Sequence, residues 1–246
     1  MLANDSYEQL EKAGLKPGQV VWDIGCGTGT MTEYLAKSVG SSGHVYAMDI
    51  SYEQIKIAEK RIADLKLTNV TFIQDDIATK QDFPAGQADI VYGRFIMMHL
   101  VDPGAAIKKL HALLKPGGAV ALQDSILSTL HASHPLPALT AYLQAILNLG
   151  RVYGVDYDTG AKLERLCQEA SFSKTTVYYL NHKLPASDGK RALLERGSEW
   201  LPKAVVAGVA TNEEVEQWLT AFANIPEDDP KFYVAMAKQG YVVAYK

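Results

Sequence analysis

Short apolar runs alternate with longer helical patterns over the first 124 residues. Each apolar run ends in glycine or polar residues, which is typical of buried strands. Such alternation predicts parallel strands with helices on both faces of one sheet. The predicted strands are Val20–Ile24, His44–Asp49, Val70–Gln74, Asp89–Tyr92 and Ala119–Gln123, and the predicted helices lie near Thr30–Ser38, Tyr52–Leu65 and Ala105–Leu114.

This alternation ends after residue 124. The remaining patterns are helices at Leu136–Tyr153 and Gly160–Ala170, a β-rich run at Lys174–Leu184, two or three helices over Ala186–Ala223, and a closing strand at Tyr241–Tyr245. No internal repeat or low-complexity linker divides the chain. We therefore predict one domain over residues 1–246, with helical insertions after the fifth and sixth strands.

Local signals mark several predicted boundaries. Ser51 and Gln54 fit a capping box, and Asp102 followed by Pro103 fits an N-cap and the first helical position. The segment Lys115-Pro116-Gly117-Gly118 predicts a turn that ends one helix and enters the fifth strand.

Composition and charge exclude several classes of protein. The net charge of −4 gives no global basic field for nucleic acid or an anionic membrane. Two cysteines, Cys26 and Cys167, supply neither a disulfide framework nor a thiolate cluster for a metal. No signal peptide or membrane span is evident, so we expect a cytoplasmic protein without membrane insertion.

The most informative segment runs from Val20 into three alternate glycines. Gly25, Gly27 and Gly29 follow a strand that carries Asp23 near its end. Backbone N–H groups at a strand–loop–helix junction favour a polar or anionic ligand group. A dinucleotide fingerprint would need glycine at position 30, where this chain has Thr30, and this departure disfavours a nicotinamide cofactor.

A second acidic residue, Asp49, ends the next predicted strand, twenty residues after Gly29. A carboxylate at this position can accept both hydroxyls of a ribose. This feature fits either an adenosyl cofactor or a dinucleotide.

The glycine loop resembles the first motif of the class I S-adenosylmethionine (SAM) methyltransferases, which is approximately D-x-G-x-G-x-G. The third strand ends in Gln74-Asp75-Asp76-Ile77, and the fourth strand exits through Gly93-Arg94, both in the order of that family's motifs. The resemblance implies that SAM is the cofactor and S-adenosylhomocysteine (SAH) the product. It implies cofactor contacts at Asp23, Gly25, Cys26, Gly27, Asp49, Ile50, Asp76, Ile77, Gly93 and Arg94.

The resemblance is close from Gly14 to Asp124 and looser over Gly160–Phe172. It implies an α/β fold, a Rossmann-like seven-stranded sheet of order 3-2-1-4-5-7-6 with strand 7 antiparallel. Residues 1–124 would form the cofactor-binding half, and residues 125–246 the substrate-covering helices and final strands. The segment before the first strand contains no arginine, and Tyr7 is a candidate to hold the cofactor carboxylate.

The predicted function is methyl transfer to O or C of a small aromatic or lipophilic metabolite. The chain lacks the motifs that mark methylation of nucleobase amino groups or protein arginine, and the cysteines needed for arsenic. Two alternatives stay open: a methyltransferase-fold enzyme that binds SAM or SAH but catalyses another reaction, and an NAD(P)-dependent oxidoreductase.

Three side chains just beyond the fifth strand are candidate catalytic bases, namely Asp124, His131 and His134. Histidine titrates near neutral pH and suits removal of a proton from a hydroxyl. His99 is a further candidate to face the pocket, and no metal site is predicted. The expected partner is a small-molecule substrate, which the insertion residues Leu136, Leu139, Tyr142, Tyr153, Tyr157 and Trp200 would suit unless they simply pack as core.

Overall fold

The computed structural model describes residues 2–246, so Met1 lies outside the described residues. Its contacts define two compact units. The first comprises the chain up to Asp124, together with Lys162–Tyr178 and Gly240–Lys246, and the second comprises Ser125–Ala161 and Tyr179–Gln239. A single domain over residues 1–246 stays a prediction.

The elements follow the alternation expected from the sequence. The strands are β1 (Val20–Ile24), β2 (His44–Asp49), β3 (Val70–Gln74), β4 (Ala88–Arg94), β5 (Leu114–Ile126), β6 (His131–Ala132), β7 (Lys174–Leu180), β8 (Lys183–Pro185), β9 (Tyr233–Ala235) and β10 (Lys238–Tyr245). The helices are α1 (Leu2–Lys12), α2 (Thr30–Val39), α3 (Tyr52–Asp64), α4 (Pro103–Leu113), α5 (Pro137–Tyr153), α6 (Leu163–Glu169), α7 (Ala186–Val206) and α8 (Asn212–Ala223).

A seven-stranded sheet of order β3-β2-β1-β4-β5-β10-β7 forms the first unit. Strands β1 to β5 pair in parallel. The closing strand β10 runs antiparallel to β5. The evidence is a pair of hydrogen bonds, in which Lys246 N–H donates to the Gly118 carbonyl and Gly117 N–H donates to the Lys246 carbonyl. The predicted order and the antiparallel last strand are confirmed, with β7 and β10 in the places of strands six and seven.

Side chains of the central strands alternate between two buried faces. Val21 and Ile90 pack with α1 and α2, whereas Trp22, Val91 and Val120 pack with α4 and α6. Strands buried on both faces are expected to be nearly continuous apolar runs, and this explains why they are evident in the sequence.

Helix α1 was not predicted as an element. Its Gln9 side chain is fully buried and donates from Nε2 to the carbonyls of Leu122, at 2.7 Å, and Val242, at 3.0 Å. Ser6 adds a bond of 3.0 Å from its hydroxyl to Gln123 Oε1. The helix is therefore held to the sheet by buried polar contacts as well as by the apolar side chains of Leu10 and Ala13.

The predicted turn at Lys115–Gly118 is instead an excursion within β5. Ala88 pairs with Leu114 and Ile90 pairs with Ala119, so extra residues bulge out of the strand between the two pairs. Gly117 has a φ of +79°, a conformation that side chains other than glycine rarely adopt.

Two helix starts match the sequence analysis in part. Asp102 accepts a hydrogen bond from Ala105 N–H at 2.8 Å, and Pro103 opens α4, as predicted. Ser51 caps α3 by accepting from Gln54 N–H at 3.3 Å. Among residues 2–246, a full reciprocal capping box is present at α8, between Thr211 and Glu214.

The second unit contains α5, α7, α8 and a small antiparallel sheet of order β6-β9-β8, which was not predicted. Its strands are two or three residues long, too short to leave a clear pattern. Tyr142 packs edge-on against Phe222, and Tyr157 packs edge-on against Trp200. These aromatic residues pack against one another as core.

Replacing Gln9 by leucine should lower the free energy of unfolding by about 1–3 kcal/mol, since two buried carbonyls lose their donor. Urea denaturation of Gln9→Leu and of the wild type measures this difference. Gln168→Leu, at an exposed position of α6, is the matched control and should change stability little. Equal losses in the two variants would contradict the assigned role of Gln9.

Candidate cofactor-binding site

A cavity of about 550 Å³ opens in the first unit at the carboxyl ends of β1, β2 and β3. In open parallel sheets this edge is where ligands bind. The cavity is lined by Ile24, Gly25, Met48, Asp49, Ile50, Asp75, Asp76, Ile77, Ala78, Ile96, His99, Leu100, Val101, Asp102, Ala105 and Ala106.

Gly25, the first residue of the glycine loop, lines this cavity. Gly25, Gly27 and Gly29 have φ values of +69°, +54° and +79°, so each occupies the left-handed region. A Cβ atom at Gly25 would also collide with the Ile96 side chain, and one at Gly29 would lie 2.8 Å from Ala58 Cβ. Glycine is therefore required at both positions by backbone conformation and by space.

Asp49 connects the end of β2 to the glycine loop. Its Oδ2 accepts from Gly27 N–H at 2.8 Å, and its Oδ1 accepts from Ser51 N–H at 2.9 Å. An ionised carboxylate offers about four lone-pair positions. Acceptor capacity for a diol therefore remains on a side chain whose orientation is already set.

The two acids after β3 have different environments. Asp75 Oδ2 accepts from Lys80 Nζ at 2.9 Å, and its Oδ1 accepts from Asp76 N–H at 2.8 Å. The Lys80 ammonium lowers the pKa of Asp75. Asp76 Oδ1 accepts from Ala78 N–H at 2.8 Å.

Apolar side chains complete this cavity. Ile77 is buried beside Asp76, whereas Ile50 is 65% exposed and lines the cavity after β2. An exposed isoleucine at a cavity wall provides apolar contact area for a flat ring.

A second cavity, of about 280 Å³, lies on the other side of Gly25. Its charged side chains among the described residues are Asp23 and Arg94. Burial raises the pKa of Asp23 to about 6, although the hydrogen bond from Thr32 Oγ1, at 2.6 Å, and the charge of Arg94 lower it. One carboxyl and one guanidinium in a small cavity complement a group that carries both charges.

The remaining predicted contacts occupy the same region. Cys26 lines the second cavity, is buried, and donates its backbone N–H to the Met48 carbonyl at 3.0 Å. Burial raises the pKa of its thiol, which keeps the sulfur protonated and agrees with a packing role. Gly93 is buried at the end of β4, directly before Arg94.

The three candidate bases belong to different units. Asp124 is 1% exposed and accepts from Met97 N–H at 3.1 Å, and burial raises its pKa well above the usual range. His131 and His134 belong to the second unit, and both are exposed. Their Nδ1 atoms lie 3.0 Å from the Thr129 carbonyl and from Ser133 Oγ, respectively.

Two further residues stand out beside those predicted from the motifs. His99 lines the larger cavity, where the sequence analysis had kept it as an option. Ile96, which lies over Gly25, had no detectable signal because its role depends on a contact between distant segments.

Tyr7 stacks on Tyr34 with ring centroids 3.8 Å apart, while Arg94 is the cation lining the second cavity.

Two features are absent from residues 2–246. None of the helices described is both long enough and apolar enough to cross a membrane. No group of three or more His, Cys, Asp or Glu side chains among these residues is placed to hold a metal ion.

Comparison with known proteins places this site in a family. The model of the family described as "Methyltransferase domain" matches residues 15–171. The chain is 27% identical over 187 residues to the ubiquinone/menaquinone biosynthesis C-methyltransferase UbiE of Vibrio cholerae, covering 70% of each protein. It is 37% identical over 122 residues to phosphoethanolamine N-methyltransferase 1 of Zea mays, covering 50% of this chain but only 24% of that protein's length.

A solved structure supports the fold over the whole length. A putative methyltransferase from Bacillus halodurans superposes with a TM-score of 0.67 at 18% identity, covering 99% of each chain. The chain belongs to the methyltransferase domain family, within the class I SAM-dependent methyltransferases. The predicted family and its cofactor, SAM, are thereby confirmed.

Asp23→Asn should stabilise the protein at high pH. The pKa of Asp23 is raised in the folded state, so the folded protein holds this proton more tightly and the wild type loses stability as pH rises from about 4 to about 6. Asparagine does not ionise, and the variant should therefore gain up to about 3 kcal/mol at pH 8. Urea denaturation at pH 8 and pH 5 tests this, and a difference that does not shrink at pH 5 would contradict it.

Proposed function

We propose that this chain binds SAM in the two cavities of the first unit and transfers its methyl group to O or C of a small aromatic or lipophilic metabolite. The observation that carries the proposal is the convergence of the glycine loop, Asp49 and Asp76 on one cavity. Three successive strand ends supply these groups in the order of the family's motifs.

The residues present fit each part of SAM. Asp49 retains acceptor capacity for the ribose hydroxyls, and Asp76 and Ile77 N–H suit the adenine amino group and a ring nitrogen. Ile50 and the Ile77 side chain would contact the ring faces. In the second cavity, Asp23 and Arg94 carry charges opposite to the ammonium and carboxylate of the methionine part.

Gly25, Cys26, Gly27 and Gly93 contribute through the main chain. Left-handed glycines allow close approach of backbone N–H groups, which a side chain would obstruct. In this proposal Arg94, rather than Tyr7, holds the cofactor carboxylate, because Arg94 supplies a positive charge at the second cavity.

When bound, SAM supplies an electrophilic methyl group on a sulfonium. The contribution of the chain is to hold that group in line with the acceptor atom and to exclude water. Alignment alone can provide about 7–11 kcal/mol of the barrier. A base is needed only when the acceptor atom carries a proton that must leave.

His131, His134 and Asp124 remain the proposed bases for an acceptor of that kind. Both histidines are exposed, whereas burial raises the pKa of Asp124, which must therefore lose its own proton inside the fold before it can act as a base. This difference favours the histidines as proton acceptors and Asp124 as a buried support for the segment at Met97.

Transfer to carbon is supported by a relative that matches over most of both chains. UbiE, which is covered to 70% in both directions, is named a C-methyltransferase. The match to the N-methyltransferase spans about a quarter of that protein. The aromatic residues of the second unit do not enter this argument, since they pack against one another. The proposal includes a small-molecule partner, no nucleic acid and a cytoplasmic location.

The first test is thermal unfolding with saturating SAM, SAH and NADH in parallel. A ligand at 100 times its dissociation constant adds about 2.7 kcal/mol, which corresponds to about 5–10 °C for a chain of this size. We expect shifts with SAM and SAH alone. A shift with NADH alone would overturn the proposal in favour of a redox enzyme. Binding without SAH formation from any of a panel of quinol, phenol and amine acceptors would favour the non-methylating alternative.

Asp49→Ala should weaken SAH binding by about 2 kcal/mol, or roughly 30-fold, because a charged acceptor of the ribose hydroxyls is lost. Isothermal titration calorimetry measures this change. Asp64→Ala, which removes an exposed carboxylate at the end of α3, serves as the matched control and should bind normally. Equal affinity in the two variants would remove Asp49 from the site.

A further inference from the structure

Two adjacent carboxylates, Asp75 and Asp76, line the larger cavity. Two carboxylates so close compete for the same hydrogen-bond donors. Adenine has one exocyclic amino group. Its N–H groups are the hydrogen-bond donors that a carboxylate in this cavity would accept. A site with two equivalent acids would bind it in more than one way, so the two acids need to differ.

Lys80 distinguishes the two acids. Its ammonium lies 2.9 Å from Asp75 Oδ2, and Asp75 Oδ1 accepts the Asp76 N–H at 2.8 Å. One oxygen of Asp75 is therefore paired with an ammonium, and the other is bonded to a backbone N–H. Asp76 has one oxygen bound to Ala78 N–H, and its Oδ2 accepts no hydrogen bond from any residue between 2 and 246.

The ion pair between Lys80 and Asp75 is partly buried, and Lys80 makes several further contacts. The Lys80 side chain is only 12% exposed, lies 5.6 Å from the Phe83 ring centroid, and also contacts Asp82. Its backbone N–H donates to the Asp76 carbonyl at 2.8 Å. Lys80 therefore holds this segment in two ways: its side chain pairs with Asp75, and its main chain bonds to Asp76.

The same loop is anchored to the rest of the first unit. Asp75 N–H donates to the Asp49 carbonyl at 3.1 Å. Lys109 Nζ, from α4, donates to the carbonyls of Ile77 and Ala78 at 3.1 and 2.7 Å. With the backbone fixed in this way, the choice between the two carboxylates depends on side-chain pairing.

We infer that Lys80 is a positioning residue for recognition of the adenine ring: it occupies Asp75 and leaves Asp76 as the one carboxylate that accepts the amino group. This inference rests on the proposed function, since it concerns the adenosyl part of the same cofactor. Its consequence is specificity for a purine with an amino group over one with a carbonyl at that position.

The test compares dissociation constants for SAH and S-inosylhomocysteine, in which a carbonyl oxygen replaces the amino group. The variants are Lys80→Met, which keeps the apolar stem against Phe83, and Lys80→Arg. Lys60→Met is the matched control, because it also removes a lysine–aspartate pair, from the exposed face of α3.

Lys80→Met should bind SAH about tenfold more weakly and should lose at least about threefold of its preference for SAH over the inosyl compound. Lys80→Arg should keep both values within about threefold, as should Lys60→Met. Adding Asp75→Asn to Lys80→Met should restore most of the preference, since the competing charge is then gone.

An unchanged preference in Lys80→Met, or an equal loss for the two ligands, would overturn the inference and leave a purely structural ion pair. Wild-type protein that binds neither ligand would overturn the proposed function itself. If Lys80→Met does not fold, Asp76→Asn and Asp75→Asn decide the question. We then expect Asp76→Asn to reduce the preference by at least about fivefold more than Asp75→Asn, and the reverse order would contradict the inference.

Discussion

Asp49, at the carboxyl end of β2, joins the three loops of the candidate cofactor site. Its side chain accepts from Gly27 in the glycine loop and from Ser51 at the start of α3, while its carbonyl accepts from Asp75 after β3. These bonds exist because β1, β2 and β3 are parallel neighbours whose ends meet at one edge. The side chain and the main chain of Asp49 therefore hold the segments that follow β1, β2 and β3 together around the cavity.

Charge in this site is arranged by pairing and burial. Asp23 is buried and bonded to Thr32, Asp75 is paired with Lys80, and Asp49 is held by backbone N–H groups. Each acid of the candidate site thus has a different set of partners. These differences give side chains of the same chemical type separate tasks, because a carboxylate paired with a lysine ammonium is a weaker acceptor for a ligand than one held only by backbone N–H groups.

The acids and glycines of the candidate site could be predicted from the sequence. Asp23, Asp49 and Asp76 follow apolar runs, and in a parallel sheet all such ends lie on one side. The contact of Ile96 with Gly25 and the pairing of Lys80 with Asp75 could not be predicted, because each depends on loop conformations that leave no periodic pattern. His131 and His134 were predicted as bases because they follow the fifth strand in the sequence. Action as a base also depends on the side chains around each histidine, and sequence position does not identify those.

The sequence by itself determined the strand–loop–helix order of the first 124 residues and, through its motifs, the family and its cofactor. It could do so because strands buried on both faces require continuous apolar runs and left-handed loop positions require glycine. Only the tertiary structure decided the presence of α1, the excursion inside β5 at Gly117, and the small sheet of β6, β8 and β9. These features depend on hydrogen bonds between residues far apart in the chain, as between Gln9 and Val242, and such partners are identified only once the fold brings them together.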